Sequence, residues 1–200
     1  RETMCAANLA RAALGFSQYA SDHRDRLPQS RSSFLGGTWW DVGTHDRSHS
    51  ANLYLLVKGG YASLADLSCP GNAGAPTMTN EHSVAASDWK SADEVSFSYQ
   101  LPGPGRLGWN SGAHFVVLAD RSPVVRRSRF GEKTDPEESS RNHAGRGQNI
   151  LFADASIRFY PRPVLENGDN IWLPALRTGS GSPLTGRETP ATDQDAFVGP

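Results

Sequence analysis

Along the first 26 residues of the chain, apolar positions recur at steps of three and four. Cys5, Leu9, Ala12, Ala13, Phe16, Tyr19 and Ala20 fall on one face of a helix, with Arg11, Gln18 and Asp22 outside it. The pattern predicts an amphipathic N-terminal helix over residues 1–26, whose core face is carried by Leu9, Phe16 and Tyr19. Asp22, Asp25 and then Pro28 break it. Residues 51–58 predict a short apolar helix stopped by Gly59-Gly60.

The period then changes. Residues 95–101, residues 114–119 and a hairpin over 149–160 carry alternating or continuous β-branched and aromatic residues. The economical assembly is a four-stranded antiparallel sheet, and with the helices it gives an α+β fold. The chain reads as one domain with an N-terminal helix (1–26), a loop-rich region with a short helix (27–94), the sheet (95–160) and an irregular C-terminal segment (161–200). Arg126, Arg127 and Arg129 read as a solvated strand end or loop.

Composition changes this picture little. With 37% hydrophobic and 20% charged residues, 200 residues suffice for one sizeable core. The 20 glycines and 13 prolines argue for long ordered loops. A formal net charge of -1 provides no global field for nucleic acid. No apolar run is long enough to span a bilayer.

The most informative stretch is Asn142-His143-Ala144-Gly145-Arg146-Gly147-Gln148-Asn149, followed by Ile150-Leu151-Phe152-Ala153-Asp154-Ala155-Ser156-Ile157-Arg158-Phe159. It reads as a glycine-rich loop and two short strands joined by a tight turn, with His143, Gly145, Gly147, Asn149 and Asp154 as its structural markers. It resembles the C-terminal signature of prepilin-like proteins, pseudopilin relatives whose domain carries a His-x9-Asp-Gly pattern. Here ten residues separate His143 from Asp154, and Ala155 stands in place of the glycine. The segment from Cys5 through Asn8-Leu9 to Leu27-Pro28, the Cys69-Pro70 loop and the chain's last residues are similar to the same family.

That resemblance implies a pilin-like fold and a mechanical role. The protein would be a non-enzymatic assembly subunit of a type II secretion or type IV pilus-like system, partnered by other pseudopilin-like subunits. It would sit in the cell envelope, anchored in the inner membrane by a hydrophobic helix continuous with the first one, with this domain periplasmic or extracellular. In such a compartment the two cysteines, Cys5 and Cys69, are either a disulfide or two buried thiols. Major pseudopilins bind calcium in a C-terminal loop, which makes Asp169, Asn170, Asp193 and Asp195 candidate oxygen ligands, although their spacing is not that of an EF-hand.

Other chemistry is thinner. His143, Asp120 and Asp154 form a candidate metal or acid-base set, set against the simpler reading of a histidine that braces its loop. His45, Asp46 and His49 invite zinc by proximity alone. No Gly-x-Ser-x-Gly elbow and no phosphate loop occurs. Trp39, Trp40, Trp89, Trp109 and Trp172 fall in loops, where they either fill the core or form a platform for glycan or protein. The assembly reading therefore stands first, a binding module second and a metal-dependent enzyme third.

Overall fold

A computed structural model describes residues 2–30, 37–43, 48–76, 86–105, 108–177 and 181–200. Helix α1 (Glu2–Asp22) buries Cys5, Leu9, Ala12, Ala13, Phe16, Tyr19 and Ala20, the residues whose spacing marks one face, together with Gly15. Gly15 is needed there, because a Cβ would stand 2.7 Å from the carbonyl oxygen of Tyr61. Helix α2 (His49–Lys58) starts two residues earlier than its apolar run, since Ser48 caps it by accepting from the Ala51 amide.

The sheet is antiparallel throughout. Strands β1 (Phe97–Gln100), β2 (Val116–Asp120), β3 (Gln148–Phe152), β4 (Ile157–Tyr160) and β5 (Val198–Gly199) run in the order β4-β3-β2-β1-β5. Among the described residues the sheet thus has five strands rather than four. The fifth is a two-residue strand at the end of the chain, too short to show a period, which pairs Gly199 with Tyr99 and Val198 with Gln100. Helix α3 (Pro123–Arg129) also corrects the sequence reading: Arg126, Arg127 and Arg129 lie in its last turn, behind a Ser122 cap and a proline in its first turn.

Both faces of the sheet are covered. On one, Phe97, Tyr99, Val117, Leu118 and Leu151 pack with the α1 face, with Leu53 and Leu56 of α2, and with Trp89 and Trp109. On the other, Val116, Ala119, Ile150 and Phe152 meet Val124 of α3, Trp39, Leu165, Trp172 and Phe197. A register shift between Val116 and Leu118 lets β2 supply consecutive residues, Val117 and Leu118, to the first face. Among its described residues the C-terminal segment holds a 3-10 turn (Ala175–Arg177) and β5, and its apolar residues help to form the second layer. Buried side chains of the size of Leu9 and Phe16 each contribute about 1.5–3 kcal/mol relative to exposure.

Candidate functional site

The first turns of α1, the Cys69-Pro70 loop, the end of β2 and the turn before β3 all meet under one corner of the sheet. Asp120 is the last residue of β2 and is fully buried. A buried carboxylate needs donors, and the fold brings five. The Cys5 thiol donates to Oδ1 at 3.1 Å and Asn142 Nδ2 to the same oxygen at 2.8 Å. The Asn149 amide, Asn149 Nδ2 and His143 Nε2 lie 2.7, 3.3 and 2.9 Å from Oδ2.

The geometry of the glycine-rich loop follows from this clustering. A 3-10 turn (Arg141–His143) is capped by the Ser140 side chain and ends at Ala144, which has left-handed dihedrals with φ 57°. Ser140 Oγ also donates to the Arg121 carbonyl, and Asn142 Nδ2 to that of Ser96. The turn is therefore tied to the residues just before β1 and just after β2, which also bond each other. Gly147 has φ +149°, and a Cβ there would stand 2.5 Å from both the Phe159 ring and the Tyr160 carbonyl oxygen. Only glycine lets β3 start so close to β4.

Cys69 reaches the same point from a separate loop. Asn8 Nδ2 of α1 donates to the Ser68 carbonyl at 2.7 Å, and the Gly71 amide donates to Cys69 Sγ at 3.4 Å. Cys5, Cys69, Asp120 and His143 each place one ligand-type atom within 4.8 Å of the others. The two cysteines are free thiols in this arrangement.

Electrostatics divides the four. The hydrogen bond to Asp120 raises the His143 pKa above the usual imidazole value, against the opposing effect of burial. The Cys5 thiol is pushed far up, by its proximity to the Cys69 sulfur, by burial and by the Asp120 charge. Cys69 is moved down, mainly by its proximity to Cys5. The second imidazole nitrogen, His143 Nδ1, is buried without a hydrogen-bond partner.

The remaining candidates lie apart from this cluster. Asp154 is exposed at the β3–β4 turn, where it accepts from the Ser156 amide at 2.9 Å, and that serine holds its carboxyl below the usual range. It does not join His143 and Asp120. In the C-terminal set, Asp195 accepts from the amides of Ala175 and Ala191, Asp169 from Ala196 and Asp193 from Gly105. Asn170 bridges the Pro136 carbonyl and the Trp172 amide. These side chains brace loops through backbone groups.

His49 is fully buried and hydrogen-bonds the Tyr99 carbonyl oxygen at 2.9 Å and Asn52 at 3.1 Å. His45 and Asp46 lie outside the described residues. Trp39, Trp89, Trp109 and Trp172 are buried and Trp40 is half-buried, so these side chains fill the core rather than forming an exposed platform.

Sequence reasoning named all four members of the cluster but not their convergence. Cys5 and Cys69 form one pair there, and Asp120 and His143 belong to a separate set with Asp154. The signal joining them is a face count: Cys5 lies on the buried stripe of α1, and Asp120 ends a strand against which that stripe must pack. Comparison with family models, with curated proteins and with solved structures returns no match.

Proposed function

We propose that the chain is a non-catalytic assembly subunit, the globular part of a pseudopilin-like protein of a type II secretion or type IV pilus-like system. The observation that carries this reading is the joint between helix and sheet. A 21-residue helix lays one whole face on an antiparallel sheet, and its N-terminal turns are held there by the buried Asp120 network. A lever of this kind transmits force between a helix and a globular head without rearranging its core. The sealing of the chemistry supports the same reading, because Cys5, Cys69 and Asp120 are 0% exposed and His143 is 3% exposed. A substrate has no path to those groups without unfolding the corner.

In this reading the outward face of α1 meets neighbouring subunits, and the protein works in the cell envelope, held at the inner membrane. Met4 and Leu14 lie on that face, 61% and 67% exposed. No helix among the described residues is long and apolar enough to cross a membrane.

The test is a photo-crosslinking amino acid placed at Leu14 in the protein expressed in its native host, followed by fractionation and mass spectrometry of the adducts. Recovery in the envelope fraction, crosslinked to copies of itself or to other pilin-like subunits, is the expected result. Recovery in the cytoplasm, or in the envelope without any subunit adduct, overturns the proposal.

A further inference from the structure

We propose that Cys5, Cys69, Asp120 and His143 are a binding site for one divalent transition metal ion of the zinc class, held by two thiolates, a carboxylate oxygen and an imidazole nitrogen. Four separate pieces of chain deliver these groups to one buried point, with all four ligand-type atoms within 4.8 Å of one another. Around a tetrahedral zinc, with bonds of about 2.0–2.3 Å, ligand atoms lie roughly 3–4 Å apart. The side chains therefore need only a small contraction.

The supporting contacts are already built. Of the five donors on Asp120, three are amide groups of Asn142 and Asn149, which orient the carboxylate whether or not an ion is present. The other two are the Cys5 thiol and the His143 ring, both themselves members of the proposed ligand set. Protons shared with Asp120 thus occupy positions where a cation would serve the same carboxylate. The Gly71 amide donates to Cys69 Sγ and so already favours the thiolate.

The exchange balances. Above the raised His143 value, two thiols, one carboxylate and a neutral imidazole carry one negative charge. Binding a dication with release of both thiol protons leaves two thiolates, the carboxylate, the imidazole and the ion, again with one negative charge. No net charge enters the core, which removes the chief electrostatic objection to a buried ion. Two sulfurs in a set of four select zinc-class ions over calcium, which takes six to eight oxygens. With four protein ligands and no exposure, the site is structural, clamping α1 and the Cys69-Pro70 loop to the end of β2. A Cys5–Cys69 disulfide is the competing fate, since it consumes both sulfurs.

The experiment is a titration of the reduced, chelator-treated chain with Co2+ and then Zn2+. One equivalent of Co2+ should produce a thiolate-to-metal charge-transfer band and the strong visible absorption of a tetrahedral centre. Co2+ binding should release two protons per ion at a pH above the raised His143 value, and Zn2+ should then bleach both bands without further proton release. Cys69→Ser should weaken Co2+ binding at least about 100-fold, beyond the loss typical of a supporting contact, and His143→Gln should do likewise. The cobalt spectrum of the parent chain is read independently of whether either variant folds. Free thiols that bind no metal, or bind it without a thiolate band, overturn the proposal. So do unchanged affinity in a folded Cys69→Ser variant and a Cys5–Cys69 disulfide in protein isolated from its host without reductant.

Discussion

His143 Nε2 lies 2.9 Å from Asp120 Oδ2, and both side chains are wholly withdrawn from solvent. The carboxylate is the acceptor for α1, for the 3-10 turn and for the start of β3 at once, so replacing it should loosen all three. Asp120→Asn preserves the shape but turns an amide toward groups that are themselves donors. Removing one partner of a buried charged network costs about 3–5 kcal/mol, and a loss of about 3 kcal/mol is expected by urea denaturation. Asp154→Asn, at an exposed turn, should cost no more than about 1 kcal/mol.

The two buried histidines should give the stability curve opposite slopes. Burial lowers the His49 pKa to about 4, and the neutral ring is the form that fits between Tyr99 and Asn52. The unfolded chain takes up this proton first, near pH ~6.5. The His49 contribution is therefore whole above that value and is lost as pH falls toward about 4, by about 3 kcal/mol in all.

His143 runs the other way. Its pKa is raised by Asp120, so its contribution is whole below ~6.5 and is lost as pH rises through the raised folded value. Unfolding free energies of the metal-free parent and of His143→Gln, measured across the pH range, should converge on the alkaline side. A constant gap between the two curves would contradict the assignment.

Ala155 occupies the left-handed region with φ 63°, at the position where the resembled family carries glycine. A side chain there costs about 1–2 kcal/mol of backbone strain, partly offset by the greater unfolded-state freedom of glycine. Ala155→Gly should therefore stabilise the protein by about 0.5–1 kcal/mol, read as a raised denaturation midpoint at unchanged slope.

These cases show what the sequence could and could not reveal. The α1 stripe was legible because one periodicity persists over five turns, and the β3–β4 hairpin because apolar runs flank a turn with an Asx residue. Helix α3 was missed because three arginines and two valines in seven residues carry no helical period, although Ser122-Pro123 was a usable start signal. Strand β5 has two residues and is specified by its partner β1. In the site, His143 and Asp120 could be named as chemistry-bearing residues, but Asp154 was grouped with them on sequence spacing. A turn carboxylate satisfied by Ser156 has no reason to point inward.

Gly71 shows how closely the Cys69-Pro70 loop is seated against the histidine turn. A Cβ on Gly71 would fall 1.7 Å from the Asn142 carbonyl oxygen, which is backbone and cannot rotate away. Gly71→Ala must therefore push the loop off the 3-10 turn, weakening the hydrogen bond from its amide to Cys69 Sγ. A loss of about 3 kcal/mol is expected, at the upper end of the usual cost of overpacking. The more specific readout is alkylation of the metal-free, reduced protein under native conditions. Both thiols are 0% exposed, so they react only through opening of the corner. In Gly71→Ala the Cys69 rate should rise at least about tenfold, in line with the lost stability. Gly145→Ala is the control, because it has φ +75° with no atom near its added Cβ. It carries backbone strain of about 1–2 kcal/mol but leaves the loop seated, and equal acceleration of Cys69 alkylation in the two variants would show that the contact between Gly71 and Asn142 does not hold the corner closed.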